Sequence, residues 1–463
     1  MLIKKNPVPK RVLGLFQIIM INVIAVDSIR TLSFSAEYGF SLLFYYLIAA
    51  LTFFIPSALV SAELASGWPS TGGIYIWVRE AFGKNCSLIV IWLEWICNVV
   101  WFPTILALIG GVIAYFFDPA LAVNKLYMTS IILVIFWGVT YINCLGMTAS
   151  SWLSIVSAII GTILPMLFIA ALGVVWCFQK HPMEISFSWS SFFPSKGHMD
   201  NLAFLSNILF GLIGLDMAAT HAAEMKNPRK DYPKALAVSV VIILSTIVLA
   251  SLAIAMTVPN KDLNLVTGPL QALTIFFDKF NMQWLVPLTA FFIVLGSLGG
   301  IGAWIIGPTK GLMVASLDGS LPQSLSKSNK QGVPTRVLLL QAIIVSLLSL
   351  VFIFMPSVHS SFFILSAITA QLAMIVYIFL FLAGIKLQYT KPNVHRAFKV
   401  PFGKTGMWIT GGLGCLSCLL AIGFTFIASG NVGISSLLHY ELSLVLGMII
   451  MCVIPYLIHK LSK

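Results

Sequence analysis

Charge is what this chain lacks most. Only 9% of its 463 residues are Asp, Glu, Lys or Arg, against about 25% in an ordinary soluble domain. That shortage excludes a water-facing surface of normal extent, and with 59% hydrophobic residues the surface must lie largely in lipid. Polar stretches are short too; none exceeds about thirty residues, which is too little for a separate soluble domain. Metal-site spacing is absent. The seven cysteines lie mostly inside apolar runs, and Cys97, Cys144, Cys177, Cys415 and Cys418 read as small buried hydrophobes. Cys415 and Cys418, three apart, can share a helical face as a metal or redox pair, but packing is the plainer reading. No Walker motif, HExxH, nucleophile elbow or dinucleotide fingerprint occurs. The chain is therefore expected to be no enzyme and to need no cofactor, and any transport it performs must draw on an ion gradient, on exchange or on downhill flow.

What is present is a series of apolar runs, each long enough to span at 1.5 Å per residue. They cover 13–36, 40–65, 88–117, 126–145, 152–178, 201–223, 235–257, 284–315, 335–355, 360–386, 405–429 and 436–459. An all-α polytopic membrane protein of twelve transmembrane helices is expected. Several runs exceed the bilayer and should tilt or kink. The basic start MLIKKNPVPKR is followed by no small-residue cleavage site, so it reads as a cytoplasmic tail and not a removable signal. With that end inside, the inner segments hold 21 of the 27 lysines and arginines and the outer segments five, with Arg30 inside the first span. This bias supports twelve spans with both ends in the cytoplasm. It also explains the net charge of +12 without nucleic acid, since the cations are spread over short loops.

Two spans carry anomalies. In the first, Asp27, Ser28 and Arg30 follow a clean apolar stretch, and a charge at a helix centre costs roughly 2.5–3.5 kcal/mol on insertion scales. Two readings stand: a structural salt bridge or snorkelling arginine, and a helix break that forms a substrate site. In the sixth, Gly211, Gly214 and Asp216 interrupt the run. Glycine costs about 1 kcal/mol in a helix interior relative to alanine. Backbone groups freed by a break are tolerated only against protein, water or ligand. The alternative is that the glycines are packing notches and Asp216 lies near the interface. Spans one and six each open a set of five helices, and matched interruptions of this kind point to an inverted repeat with a midplane site. The approximate repeats are 13–200 and 201–400, with two additional helices over 405–459, all in a single transmembrane domain. Glu94, in the third span, can line the interior, relay protons or pair with Arg30. Glu224 and His221 sit at the inner end of span six, Glu224 as a gate or loop-pairing residue and His221 as a structural or pH-sensing histidine. Glu63 lies close to the inner interface. Pro69, Gly72 and Gly73 precede a short amphipathic piece, Ile74–Trp77, expected to lie along the inner face as a gate element or a plain surface helix. Trp304, among the glycines of span eight, is either a packing anchor or a cap on a cavity.

Five stretches together resemble a known family. They are FIPSALVSAEL, WPSTGGIYIWVREAFG, GLIGLDMAATHAAEMKNPRKDYP, WIIGPTKG and LPQSLSKSNKQGVPT. The chain resembles the amino acid–polyamine–organocation superfamily from about Leu13 to Ser462, and within it the bacterial glutamate:GABA antiporter branch. The resemblance implies a LeuT-like 5+5 inverted repeat with broken helices 1 and 6. It implies alternating access, an amino acid substrate, membrane lipids as neighbours and a place in the bacterial inner membrane; protons and a homodimer partner are open. By motif, Gly214 falls on the glycine at the helix-six break and Asp216 on a gating glutamate. Phe210 falls on an aromatic position and Trp304 on an occluding tryptophan. Val26, Asp27 and Ser28 stand where many members have Gly-Ser-Gly. Arg30 has no counterpart in that motif; it can bind a substrate carboxylate, favouring an acidic or neutral amino acid, or pair with Asp27 or Glu94. The expected substrate-binding residues are thus Val26, Asp27, Ser28, Arg30, Phe210, Gly211, Gly214 and Trp304, with Asp216, Glu94 and Glu224 in gating or coupling. Exchange is the expected mode, with proton-coupled symport of a neutral amino acid or a non-transporting sensor as alternatives. The antiporter's basic C-terminal plug is not expected here, because the chain ends at HKLSK after the last span.

Overall fold

The computed structural model describes residues 13–70, 72–145, 155–194, 202–219, 225–329, 333–427 and 437–461. Within them the protein is helical, with one isolated bridge between Leu13 and Met225 and no sheet. Ten helical segments are long and apolar enough to cross a membrane. The first is interrupted: α1 (Leu15–Val26) and α2 (Leu32–Ala36) are separated by Asp27, Ser28 and a 3₁₀ turn. Then come α3 (Gly39–Gly67), the short α4 (Ile74–Phe82), α5 (Lys84–Phe117), α6 (Lys125–Leu145) and α7 (Ser157–Phe178). The second half holds α8 (Leu202–Gly211), α9 (Pro228–Thr257), α10 (Gly268–Phe280), α11 (Val286–Leu317), α12 (Thr335–Phe354), α13 (Val358–Thr390), α14 (Gly403–Phe424) and α15 (Leu437–Leu461). The two expected spans outside the ten coincide with α8, only 10 residues long, and α15, whose apolar part is Tyr440–Ile454.

Burial ranks the helices. In their most apolar stretches α5 is 94% buried and α13 78%, whereas α6 is 28% and α14 33%. The first two are therefore posts inside the bundle, and the others turn most of their surface to lipid. A helix that is apolar all round fits either place, so hydropathy could not separate them. Close packing relies on small residues. A Cβ built on Gly161 of α7 would stand 2.2 Å from the backbone nitrogen of Gly296 on α11, so these helices touch backbone to backbone.

The piece after α3 is a helix, longer than the four residues expected and more deeply buried. Gly72 (φ +122°) and Gly73 (φ +46°) make the turn, and α4 then buries Ile74, Tyr75, Ile76, Trp77 and Val78 in succession. It is wedged between neighbours and is not a plain surface helix. The Tyr75 hydroxyl (3.0 Å) and the Arg79 guanidinium (2.6 Å) both bind Asp318 at the end of α11. Glu63 is also more than an interface residue. It is buried, and its carboxylate accepts from Arg396 Nη1 (2.9 Å), Gln388 Nε2 (2.5 Å) and Val400 N (2.7 Å). Arg396 in turn donates to the carbonyls of Leu387 and Lys391 and lies 5.3 Å from the Trp68 ring. This node ties the end of α3 to the segment after α13.

Between the first two spans, burial pushes the Glu37 carboxyl up to about 7 from its ordinary 4.5. Folded protein then keeps a proton that the unfolded chain has already released, so stability falls as pH rises from about 4.5 to about 7. Glu37→Gln should flatten that part of a melting-temperature profile. An unchanged slope in the variant would place the titration on another group.

Candidate functional site

The breaks position the site. Asp27 and Ser28 are extended (ψ 115° and 123°), because Asp and Ser side chains compete for backbone groups and β-branched Val26 adds little helix preference. After α8 the chain leaves the helix at Gly211, and Gly214 adopts φ +126°, a conformation open to glycine at little cost. These two irregular turns, with α5, α11 and α13, surround a cavity with about 620 Å³ of unfilled space, its open mouth included.

Arg30 enters this cavity from the 3₁₀ turn after the first break. It is 1% exposed, yet it forms no ion pair among the described residues. Its Nη1 donates to Ser366 Oγ on α13 (3.1 Å), and its Nε has no hydrogen-bond partner. The guanidinium sits among three phenylalanine rings, Phe210 at 5.4 Å, Phe362 at 5.8 Å and Phe34 at 6.0 Å. Neither expected partner, Asp27 or Glu94, holds it; the salt-bridge reading of the first span is thereby corrected. The reason is the break itself, which turns Asp27 away from the cavity that Arg30 enters.

Two carboxylates line the same cavity, Glu94 from α5 and Asp216 from the turn after α8. Tyr377 on α13 donates to Asp216 Oδ1 (2.5 Å) and accepts from the Gly214 N–H (2.9 Å). Ser366 and Tyr377 are eleven residues apart on α13, about 16 Å of helix at 1.5 Å per residue. The anchors of Arg30 and of Asp216 thus lie about three helical turns apart on α13. Trp304 of α11 closes another side. Its indole N–H donates to the carbonyl of Ala25 near the end of α1 (2.9 Å), and its ring lies 6.3 Å from Trp101. Gly214 is gripped between these parts: a Cβ there would meet Ala25 O at 2.9 Å and the Trp304 ring at 3.0 Å. Gly214→Ala adds a clash and backbone strain of order 1–3 kcal/mol, so it should leave a folded protein whose substrate affinity falls at least tenfold. Unchanged affinity would show that this turn moves freely.

The arrangement presents one guanidinium, two carboxyl groups and aromatic walls, and among the described residues no activated nucleophile or general-base pair. It suits binding of a small molecule carrying both charges, and not bond breaking.

Sequence comparison agrees with this geometry. Residues 13–453 match the family model described as amino acid permease. The chain belongs to the amino acid permease family. The permease is 49% identical over 451 residues to an uncharacterized transporter of Legionella pneumophila, covering 97% of both chains. It is 28% identical to a glutamate/gamma-aminobutyrate antiporter of Lactococcus lactis, over 91% of this chain and 84% of that one. It is a multi-pass membrane protein of the secondary-active amino acid transport class, not an enzyme.

Of the residues expected at the site, Val26, Ser28, Arg30, Phe210, Gly211, Trp304, Asp216 and Glu94 line the cavity, and Gly214 supports it from behind. Asp27 is placed elsewhere, on a separate cavity across the α1 break. Glu224 and His221 lie outside the described residues. Tyr377 was not foreseen. A tyrosine in an apolar run carries no local signal, and only the fold sets it beside Gly214 and Asp216.

Proposed function

We propose that the permease exchanges an acidic or neutral amino acid across the bacterial inner membrane by alternating access. The observation that carries this reading is Arg30, a buried guanidinium facing the cavity with no carboxylate partner among the described residues. A substrate carboxylate completes its fork of donors. The substrate ammonium turns toward Asp216 and Glu94, and Trp304 covers the site. A free cation beside aromatic rings disfavours a substrate with a basic side chain, which would add a second positive charge there. The resemblance between the glutamate/gamma-aminobutyrate antiporters and this chain supports exchange. Twelve spans in a 5+5 inverted repeat, with both termini cytoplasmic, fit the matched breaks and the cation bias. Asp216, bound to Tyr377, couples occupancy to closure of the turn at Gly214.

The test is uptake of labelled amino acids into proteoliposomes preloaded with unlabelled amino acids or left empty. Exchange predicts uptake into preloaded vesicles that far exceeds uptake into empty ones. Equal uptake into both would replace exchange by symport. Binding without flux for every amino acid would replace transport by sensing.

A further inference from the structure

A second cavity, with about 350 Å³ of unfilled space, lies on the other side of the α1 break. It shares Ala25, Ser28, Trp101 and Trp304 with the first, so the indole pinned to Ala25 is the partition between them. Asp27 lines only this second space. Its side chain is 2% exposed. One carboxylate oxygen accepts from Thr246 Oγ on α9 at 2.7 Å; the other, Oδ1, has no hydrogen-bond partner in the described structure.

Among the described residues the groups around Asp27 are neutral. Helix α9 brings Thr246, α7 brings Thr162 and α11 brings Ser297. Among the described residues the titratable neighbour is Tyr46 of α3, a phenol already hydrogen-bonded to Ser35 at 2.7 Å. Arg30, three residues on, is directed into the first cavity and held by Ser366. No lysine, arginine or histidine among the described residues pairs with Asp27. An ionised carboxylate buried with one donor and no cation is strongly disfavoured, whereas its protonated form is tolerated.

We propose that Asp27 is the proton-carrying group of the permease, loaded and unloaded through the second cavity. The step is simple transfer: the carboxylate takes a proton from hydronium in the cavity, an O–H bond forms on Oδ1, and the same proton returns to water when the cavity opens to the other side. Coupling to substrate follows from position. Asp27 and Arg30 are three residues apart, at most about 11 Å along the chain. Neutralising Asp27 removes negative charge near the place where Arg30 meets a substrate carboxylate. Proton and substrate then bind with positive cooperativity, and the effect is reciprocal. This coupling rests on the reading of Arg30 given above; the protonation of Asp27 does not.

Two measurements on the purified full-length permease separate the claims. Infrared difference spectra over a pH step, without substrate, report the C=O stretch of a protonated carboxyl group. The wild type should show such absorption titrating, with Glu37 contributing beside Asp27; Asp27→Asn should lose one component of it, which Glu37→Gln should keep. Thr246→Val removes the donor that favours the charged form, so that component should persist to higher pH. In proteoliposomes, the ratio of uptake with an inward proton gradient to uptake without one should exceed one severalfold in the wild type and fall to about one in Asp27→Asn. Unaltered absorption in Asp27→Asn, or an unaltered ratio, overturns the proposal. So does stimulation by a sodium gradient instead of a proton gradient, which would make Asp27 a metal-cation ligand. If the wild type moves no amino acid, the exchange reading fails, while the infrared titration still decides Asp27.

Discussion

Arg30→Met should abolish measurable binding of amino acids through their carboxylate. Truncating one partner of a buried charge pair costs about 2–5 kcal/mol, which is roughly thirty-fold to several-thousand-fold in Kd. The fold should survive. Among the described residues Arg30 has no carboxylate to leave stranded, and its surroundings are Phe34, Phe210 and Phe362, which accept a thioether readily. Removing a desolvated cation from such a place is neutral or stabilising for the apo protein. Arg30→Lys keeps the charge and loses the fork, so it should bind between the two extremes. Equilibrium binding with labelled amino acids, alongside a detergent melting curve, checks both halves. A Kd in Arg30→Met equal to that of the wild type would remove the carboxylate from this position and with it the preference for acidic or neutral substrates.

The second large effect concerns stability. Glu63→Ala leaves Arg396 buried with no anion, and breaking a buried pair costs about 3–5 kcal/mol. That is a large part of the 5–15 kcal/mol that holds an ordinary domain together. The variant should melt many degrees lower in detergent and reach the membrane in much reduced amount. Glu63→Leu combined with Arg396→Met should recover most of the loss, because the pair is then replaced by apolar groups and no charge is left alone. Gln388 and the Val400 N–H would still lose their acceptor, so recovery should be incomplete. A single variant that melts like the wild type would mean that water enters this node freely. Transport should drop with protein amount and not with affinity, since the node lies outside the substrate cavity.

How much of this was legible in the residues depends on the range of the signal. Spans are a one-dimensional property: about twenty apolar residues must cross a bilayer whatever their neighbours do. Breaks are local too. Asp27 and Ser28 after a clean apolar run, and glycines at 211 and 214, disturb the helix through their own side chains or lack of them. Family motifs around Pro69, Asp216 and Trp304 were equally readable.

Facing was not. Asp27 and Arg30 lie three residues apart in one short turn and read as a possible ion pair, yet they enter different cavities, because the extended backbone at 27 and 28 reverses the helical spacing. Glu63 read as an interface residue, while its partner Arg396 comes from 333 positions further along. Tyr377 reaches Asp216 across 161 positions. Helix α4 came out longer than the four residues expected and buried instead of superficial, since wedging was set by neighbours able to receive five successive apolar residues. By itself the sequence determined the membrane class, ten of the expected spans, the two breaks and the family. Only the tertiary structure decided which charges are paired, which stand alone and which of two cavities each one faces, because those are long-range contacts fixed when the helices pack.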